Sequence, residues 1–275
     1  IGALLVDGIG DTIRVSLSEE QEAEVPVAQK LVEYINKLEG HEPIVSEEYP
    51  GFSPFSMDRR ETDSVWNVGG EYLPVVISDR SRINDMSINP HFIPDYIYVG
   101  NRVPDNFPKG MKSIVDFENW EKKIDNFPLF TVDSLDKIKD CDSEVRFLRL
   151  SFPELSERVI AFLKVVPKVV VILTSDHQNR VGEQRAFFHT LLNEGCRVPV
   201  ILQSSYKEDE AEDLQIKAGV DFGTVLLDGF GNGIMMSNEG KLDILDVDAY
   251  SFGILQAARV RTSKTEFISC PGCGR

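Results

Sequence analysis

The chain has 275 residues, 42% of them apolar and 9% aromatic, enough for one large domain or two ordinary ones around a buried core. Its 45 acidic and 29 basic residues give a formal charge of −16 and a pI near 4.7, which argues against nucleic acid and against an anionic membrane surface as partners. No stretch approaches the roughly 20 apolar residues of a membrane span, no basic and apolar leader with a cleavage site is present, and both ends read as cuts through a longer protein.

In chain order, Ala3–Val6 reads as a short buried strand or loop end, followed by the turn Asp7-Gly8-Ile9-Gly10-Asp11. Thr12, Arg14 and Ser16 then alternate with Ile13, Val15 and Leu17, so a strand there puts the arginine and serine on one face. The acidic Ser18–Glu24 segment opens a predicted helix that runs through Leu38 and stops at Gly40. From His41 to about Gly70 the chain is broken by Pro43, Pro50, Gly51 and Pro54, as expected of a connection into a new domain.

Beyond it, strand-like and helix-like runs alternate. Strands are predicted at 72–77, 96–99, 112–115, 129–132, 147–150, 168–173, 198–202 and 223–227, and helices at 118–124, 134–139, 154–165, 183–193, 209–218 and 247–259. Alternation of this kind implies parallel pairing with right-handed crossovers. Eight strands make the expected fold α/β, a (β/α)₈ TIM-barrel-like domain, incomplete or distorted because the segment is short, with some units lacking proper helices. An open doubly wound parallel sheet is the alternative.

The opening motif returns late in the chain. Aligning Ala3–Ser16 with Thr224–Ser237 matches Leu5 with Leu226, Asp7 with Asp228, Gly8 with Gly229, Gly10 with Gly231, Ile13 with Ile234 and Ser16 with Ser237. Such an ungapped echo suggests that the last unit of a barrel has been duplicated: the first copy ends one barrel, and the second ends another inserted behind it. Arg14 and Ser16 at a strand end suit phosphate oxygens, whereas the second copy has Met235 at the arginine position. On that ground the inserted barrel is expected to lack the phosphate function.

Four cysteines are too few for a disulfide scaffold and fit a reducing compartment. Cys141 and Cys196 stand alone, while Cys270-Pro271-Gly272-Cys273 has the spacing of half a zinc site, half an iron–sulfur site or a redox disulfide. Thr174-Ser175-Asp176-His177 and Gln203-Ser204-Ser205-Tyr206 read as polar strand ends rather than a triad. Gly229–Gly233 reads as a turn, and His41, His91 and His189 have no partner at metal spacing.

Taken together, Gly2–Ser16 and Phe267–Arg275 resemble two parts of the 4-hydroxy-3-methylbut-2-enyl-diphosphate synthase family: the closing strand region of its barrel and the opening of its iron–sulfur domain. With residues 41–259 between them, the chain resembles the long, three-domain form. The resemblance implies 1–40 as the end of the catalytic barrel, 41–259 as an inserted barrel and 260–275 as linker and start of the cluster domain. It further implies a cytoplasmic bacterial enzyme of the non-mevalonate isoprenoid pathway that reductively opens 2-C-methyl-D-erythritol 2,4-cyclodiphosphate, with electrons from ferredoxin or flavodoxin. In that family Arg14 and Ser16 match diphosphate-binding residues. Cys270 and Cys273 match two ligands of a [4Fe–4S] cluster completed by a third cysteine and a glutamate, and no catalytic residue is expected within this chain. The competing readings are a noncatalytic structural or electron-donor-docking module and an unrelated α/β protein with a zinc CxxC.

Overall fold

A computed structural model of the chain describes residues 1–15, 21–53 and 56–265. Eight parallel strands close into a barrel in sequence order: β1 (Val75–Asp79), β2 (Tyr96–Tyr98), β3 (Ser113–Asp116), β4 (Asn126–Phe130), β5 (Arg146–Ser151), β6 (Val169–Thr174), β7 (Val200–Tyr206) and β8 (Gly233–Asn238). The seam is a parallel pairing of β8 with β1 that sets Val75 opposite Gly233 and Ile77 opposite Met235. The sheet is therefore closed, which excludes the open doubly wound alternative.

The strands are buried on both faces and read as continuous apolar runs. Val170 and Ile172 point into the barrel with Ile77, Phe147, Ile201 and Met235, while Val169, Val171 and Leu173 face the surrounding helices. Those helices cover only part of the circumference: α3 (Leu135–Asp140), α4 (Glu157–Val165), α5 (Arg180–Asn193), α6 (Ala211–Leu227) and α7 (Ile244–Ala257) follow β4 to β8 in turn. The β1–β2 and β2–β3 connections contain no helix, and the helix expected at 118–124 is a single 3₁₀ turn at Phe117–Asn119. Residues 117–125 are too few for a helical crossover, which takes a dozen or more. Where helices are missing, Met86, Ile88, Phe107 and Met111 from the loops cover Ile97, Val99 and Val115 instead. This is how eight strands fit into so short a segment.

Two further expectations are corrected. Residues 223–227 are the last turns of α6, and the eighth strand is Gly233–Asn238. Ala3–Val6 lies in helix α1 (Gly2–Val6), with no buried residue, and 12–15 form no strand. A strand needs partners for its backbone groups. Gly233–Asn238 has β7 and β1 beside it, whereas no strand among the described residues pairs with 12–15.

The echo is nonetheless real in three dimensions, as helix–turn rather than strand–turn. Asp7, Gly8 and Ile9 donate their N–H groups to Ala3, Leu5 and Leu4 carbonyls at 3.2, 3.0 and 2.8 Å. Asp228, Gly229 and Phe230 donate to Thr224, Leu226 and Val225 in the same pattern, each at 3.1 Å. Both are glycine-terminated helix ends, with φ of +70° at Gly8 and +81° at Gly229. Arg185 joins them, donating to Asp7 at 2.5 Å and to both carboxylate oxygens of Asp228 at 2.7 and 3.0 Å.

Helix α2 (Gln21–Asn36) packs along α6. Its Tyr34 hydroxyl donates to the fully buried Asp221 at 2.6 Å, a carboxylate that also accepts from Tyr206 at 2.9 Å and pairs with Arg180 at 3.4 Å. The chain then descends along α5, where Tyr49 N–H donates to His189 Nδ1 at 3.0 Å. At the N-terminal end of the barrel Val65 and Val68 pair with each other and plug the interior. Arg60 donates there to the Cys196 and Val198 carbonyls at 2.8 and 2.5 Å. After α7 the chain returns to this same face, where Arg261 donates to Pro74 O at 2.9 Å and to Asp95 at 2.5 Å.

Burial depresses the His189 imidazole below its ordinary value, and the neutral ring is the form that accepts from Tyr49. The unfolded chain then takes up this proton first, so the contribution is present above about pH 6.5 and is lost as pH falls through the unfolded and then the folded value. Between pH 7 and 5 the melting temperature of the wild type is expected to fall more steeply than that of His189→Gln. Parallel slopes for the two proteins would show that the ring is not buried neutral.

Candidate functional site

Active sites of such barrels form at the C-terminal ends of the strands. Here that end opens into a cavity of about 750 Å³. Strand parity decides what lines it. Each inward position one step beyond the apolar interior layer is polar: Asp79 after Ile77, Arg149 after Phe147, Gln203 after Ile201 and Ser237 after Met235.

Arg149 is held on two sides. Its Nε donates to Gln203 Oε1 at 3.3 Å, and its guanidinium lies 5.0 Å from the ring centroid of Tyr98. The Tyr98 hydroxyl in turn donates to Asp116 at 2.8 Å, and burial pushes that phenol up to about 12. Across the mouth, Asp79 Oδ1 accepts from the Ser81 N–H at 3.0 Å and hydroxyl at 2.7 Å, and Oδ2 accepts from the Ser237 hydroxyl at 2.5 Å. On the rim Arg82 pairs with Glu239, and Asp243 caps α7 by accepting from Leu245 N–H at 2.8 Å. A cation, a carboxylate and hydroxyl donors thus face one cavity, an arrangement suited to holding a polar ligand.

The sequence-based candidates fall elsewhere. Arg14 is exposed, with no strand around it among the described residues, while Ser16, Cys270 and Cys273 lie outside them. Met235 is fully buried in the barrel interior beneath Ser237, so the echo's arginine position is filled by core in this barrel. Thr174–His177 is a strand-end cluster: the His177 ring is engaged by Asn179 and by Glu42 O at 3.1 Å, with no serine at its other nitrogen. Gly229–Gly233 is a packed turn, its Asn232 side chain accepting from Val200 N–H at 3.0 Å. Gln203 and Ser205 do reach the mouth. No sequence pattern marks Asp79, Arg149 and Ser237 together as a site in this barrel. The available signal was the period-two register Phe147–Arg149–Ser151, readable only once Phe147 is known to point inward.

No group of three or more His, Cys, Asp or Glu among the described residues could hold a metal ion, and no helix among them is long and apolar enough to cross a membrane. No family model matches the chain. Over its full length it is 51% identical to the 4-hydroxy-3-methylbut-2-en-1-yl diphosphate synthase (flavodoxin) of Bacteroides thetaiotaomicron, 45% of which it covers. It is 37% identical to the protein of the same name in Porphyromonas gingivalis, covering 42% of it, and 28% identical to that of Protochlamydia amoebophila, covering 46%. The chain thus spans about half the length of the curated relatives it matches.

Proposed function

We propose, for a chain that belongs to the 4-hydroxy-3-methylbut-2-en-1-yl diphosphate synthase family, that it is the part carrying the inserted barrel, and that this barrel spaces the catalytic barrel from the cluster domain. In this reading 1–40 end the catalytic barrel, 41–259 are the insert and 260–275 lead into the cluster domain. The whole protein is then a cytoplasmic oxidoreductase of isoprenoid synthesis. It opens the cyclic diphosphate and removes water, taking electrons from flavodoxin, the donor named for its relatives. This chain alone is inactive and serves mainly as the spacer.

One observation carries the spacer reading. The barrel proper begins and ends at one face: Arg60 holds the incoming segment, which has descended along α5 from residue 42 beside His177, to the Cys196 and Val198 carbonyls, and Arg261 holds the outgoing one to Pro74 and Asp95. A barrel whose own first and last segments lie close together on one face can be carried as an insertion without disturbing its host.

Arg14 and Ser16 would hold the diphosphate, the guanidinium by paired hydrogen bonds. Cys270 and Cys273 would be two thiolate ligands of a [4Fe–4S] cluster, which supplies single electrons to the ring opening. The cysteines within the described residues do not compete for that role. Burial raises the thiols of Cys141 and Cys196, and a protonated thiol is a poor ligand.

If the insert lets each chain fold its cluster domain back on its own catalytic barrel, two defective chains cannot rescue each other. Mixing full-length Arg14→Gln with full-length Cys270→Ser is therefore expected to restore no turnover, and the wild type to be active at the mass of a monomer. Recovery of activity in the mixture would show that two chains build one site and would defeat the spacer reading.

A further inference from the structure

The mouth of the barrel has features that a mere spacer does not require. In a chain with 45 acidic and 29 basic residues, an inward-facing arginine would ordinarily meet a carboxylate. Arg82, Arg180, Arg185 and Arg261 all do, while the buried Arg60 and Arg146 spend their donors on backbone carbonyls instead. Arg149 forms no ion pair among the described residues. Its hydrogen bond to the Gln203 carbonyl and its stacking over Tyr98 fix the guanidinium without neutralising it. A half-buried cation held this way is prepared for an anion that the chain itself does not supply.

The opposite wall sets the rest of the ligand. β1 and β5 are four strands apart in a ring of eight, so Asp79 and Arg149 face each other across the opening. Asp79 accepts from Ser81 and Ser237, but two carboxylate oxygens have about four acceptor sites, so it can take further donors. That carboxylate repels a dianion more than a monoanion, which favours a carboxylate over a phosphate at Arg149. The cavity of about 750 Å³ is ample for a metabolite of a few carbons. It also opens at the end away from Arg60 and Arg261, and residues 37–42, beside His177 and Gln178, do not line it.

We propose that the mouth of this barrel binds a small carboxylate bearing hydroxyl or ammonium groups, with the carboxylate on Arg149 and the donors on Asp79. The inference rests on the barrel alone and does not depend on the spacer reading.

The test is calorimetric titration of the intact protein with D-glycerate and L-serine, with propionate as a head without donors and inorganic phosphate as the dianion. Saturable binding of glycerate or serine is expected. Arg149→Gln should weaken it by about tenfold or more. Asp79→Asn should weaken glycerate or serine while propionate, freed of the carboxylate's repulsion, binds no more weakly than before. Should Arg149→Gln fail to fold, Gln203→Glu places a competing carboxylate beside the guanidinium and must abolish binding. The proposal is overturned by no saturable heat from either donor-bearing acid up to about 10 mM, by unaltered affinity in a folded Arg149→Gln, or by phosphate binding more tightly than both acids.

Discussion

Arg80→Met is expected to destabilise the protein by about 3–5 kcal/mol, the cost of removing one partner from a buried ion pair. For a domain of this size that lowers the melting temperature by on the order of 10 °C. Arg80 stands one residue beyond β1 and is 1% exposed. Its four hydrogen bonds go to Ser78 Oγ at 2.8 Å, to the Asp85 and Ser87 carbonyls at 2.7 and 3.1 Å, and to Asp248 Oδ2 on α7 at 2.7 Å. The β1–β2 connection has no helix, so this guanidinium ties its loop to the barrel and to α7. Methionine fills the volume but leaves two carbonyls and a carboxylate without their donor. Lysine retains the charge and still cannot serve acceptors spread over a planar fork.

The loss should depend on pH in a definite direction. Burial already raises the Asp248 carboxyl above its ordinary value despite the opposing pull of Ser78 and Arg80. Without Arg80 it rises further. A carboxyl raised in the folded state favours folding below the unfolded value, and that contribution is lost as pH rises through the folded value. The deficit of Arg80→Met against wild type should therefore grow from pH 5 to pH 8. Arg80→Met combined with Asp248→Leu, which removes both charges, should recover part of it. Urea unfolding measures all three. A single variant within about 1 kcal/mol of wild type would mean that the pair does not hold the loop.

The strand order and the lopsided helix distribution were legible because strands buried on both faces leave continuous apolar runs, as in Val169–Leu173. The barrel strand misplaced at 223–227 shows where that signal fails. Val225, Leu226 and Leu227 end a helix packed against the sheet, and so short an apolar run fits a buried strand equally well. The true strand, Gly233–Asn238, begins inside a glycine-rich stretch that reads as turn. The mouth was less legible than the fold. Ser205 and Gln203 are polar at a strand end and could be noticed, but Arg149 looks like any surface arginine until strand parity turns it inward. Arg185, which binds both Asp7 and Asp228, acts between segments far apart in sequence, and no local pattern announces that.

The two echoed turns should respond differently to the same substitution. Alanine at Gly229 must adopt φ near +81°, which costs an L-residue roughly 1–2 kcal/mol. Its Cβ would also lie 2.1 Å from the Asp58 carbonyl oxygen, so the backbone at 58–60 must move. Arg60 N–H donates to Gly229 O at 3.0 Å, and Arg60 in turn holds the barrel floor. With overpacking of about 1–3 kcal/mol added, Gly229→Ala should cost about 3 kcal/mol or more. Gly8 has φ +70° but no atom within 4 Å of an added Cβ. Gly8→Ala in this chain should therefore cost only the backbone term, about 1 kcal/mol. Urea unfolding of the 275-residue chain separates the two, and equal costs would mean that the 58–60 segment does not pack on the second turn. The same pair in the whole protein tests the duplication: if the first copy closes a barrel as the second does, neighbours absent from this chain surround Gly8, and the penalty at Gly8 rises to match that at Gly229.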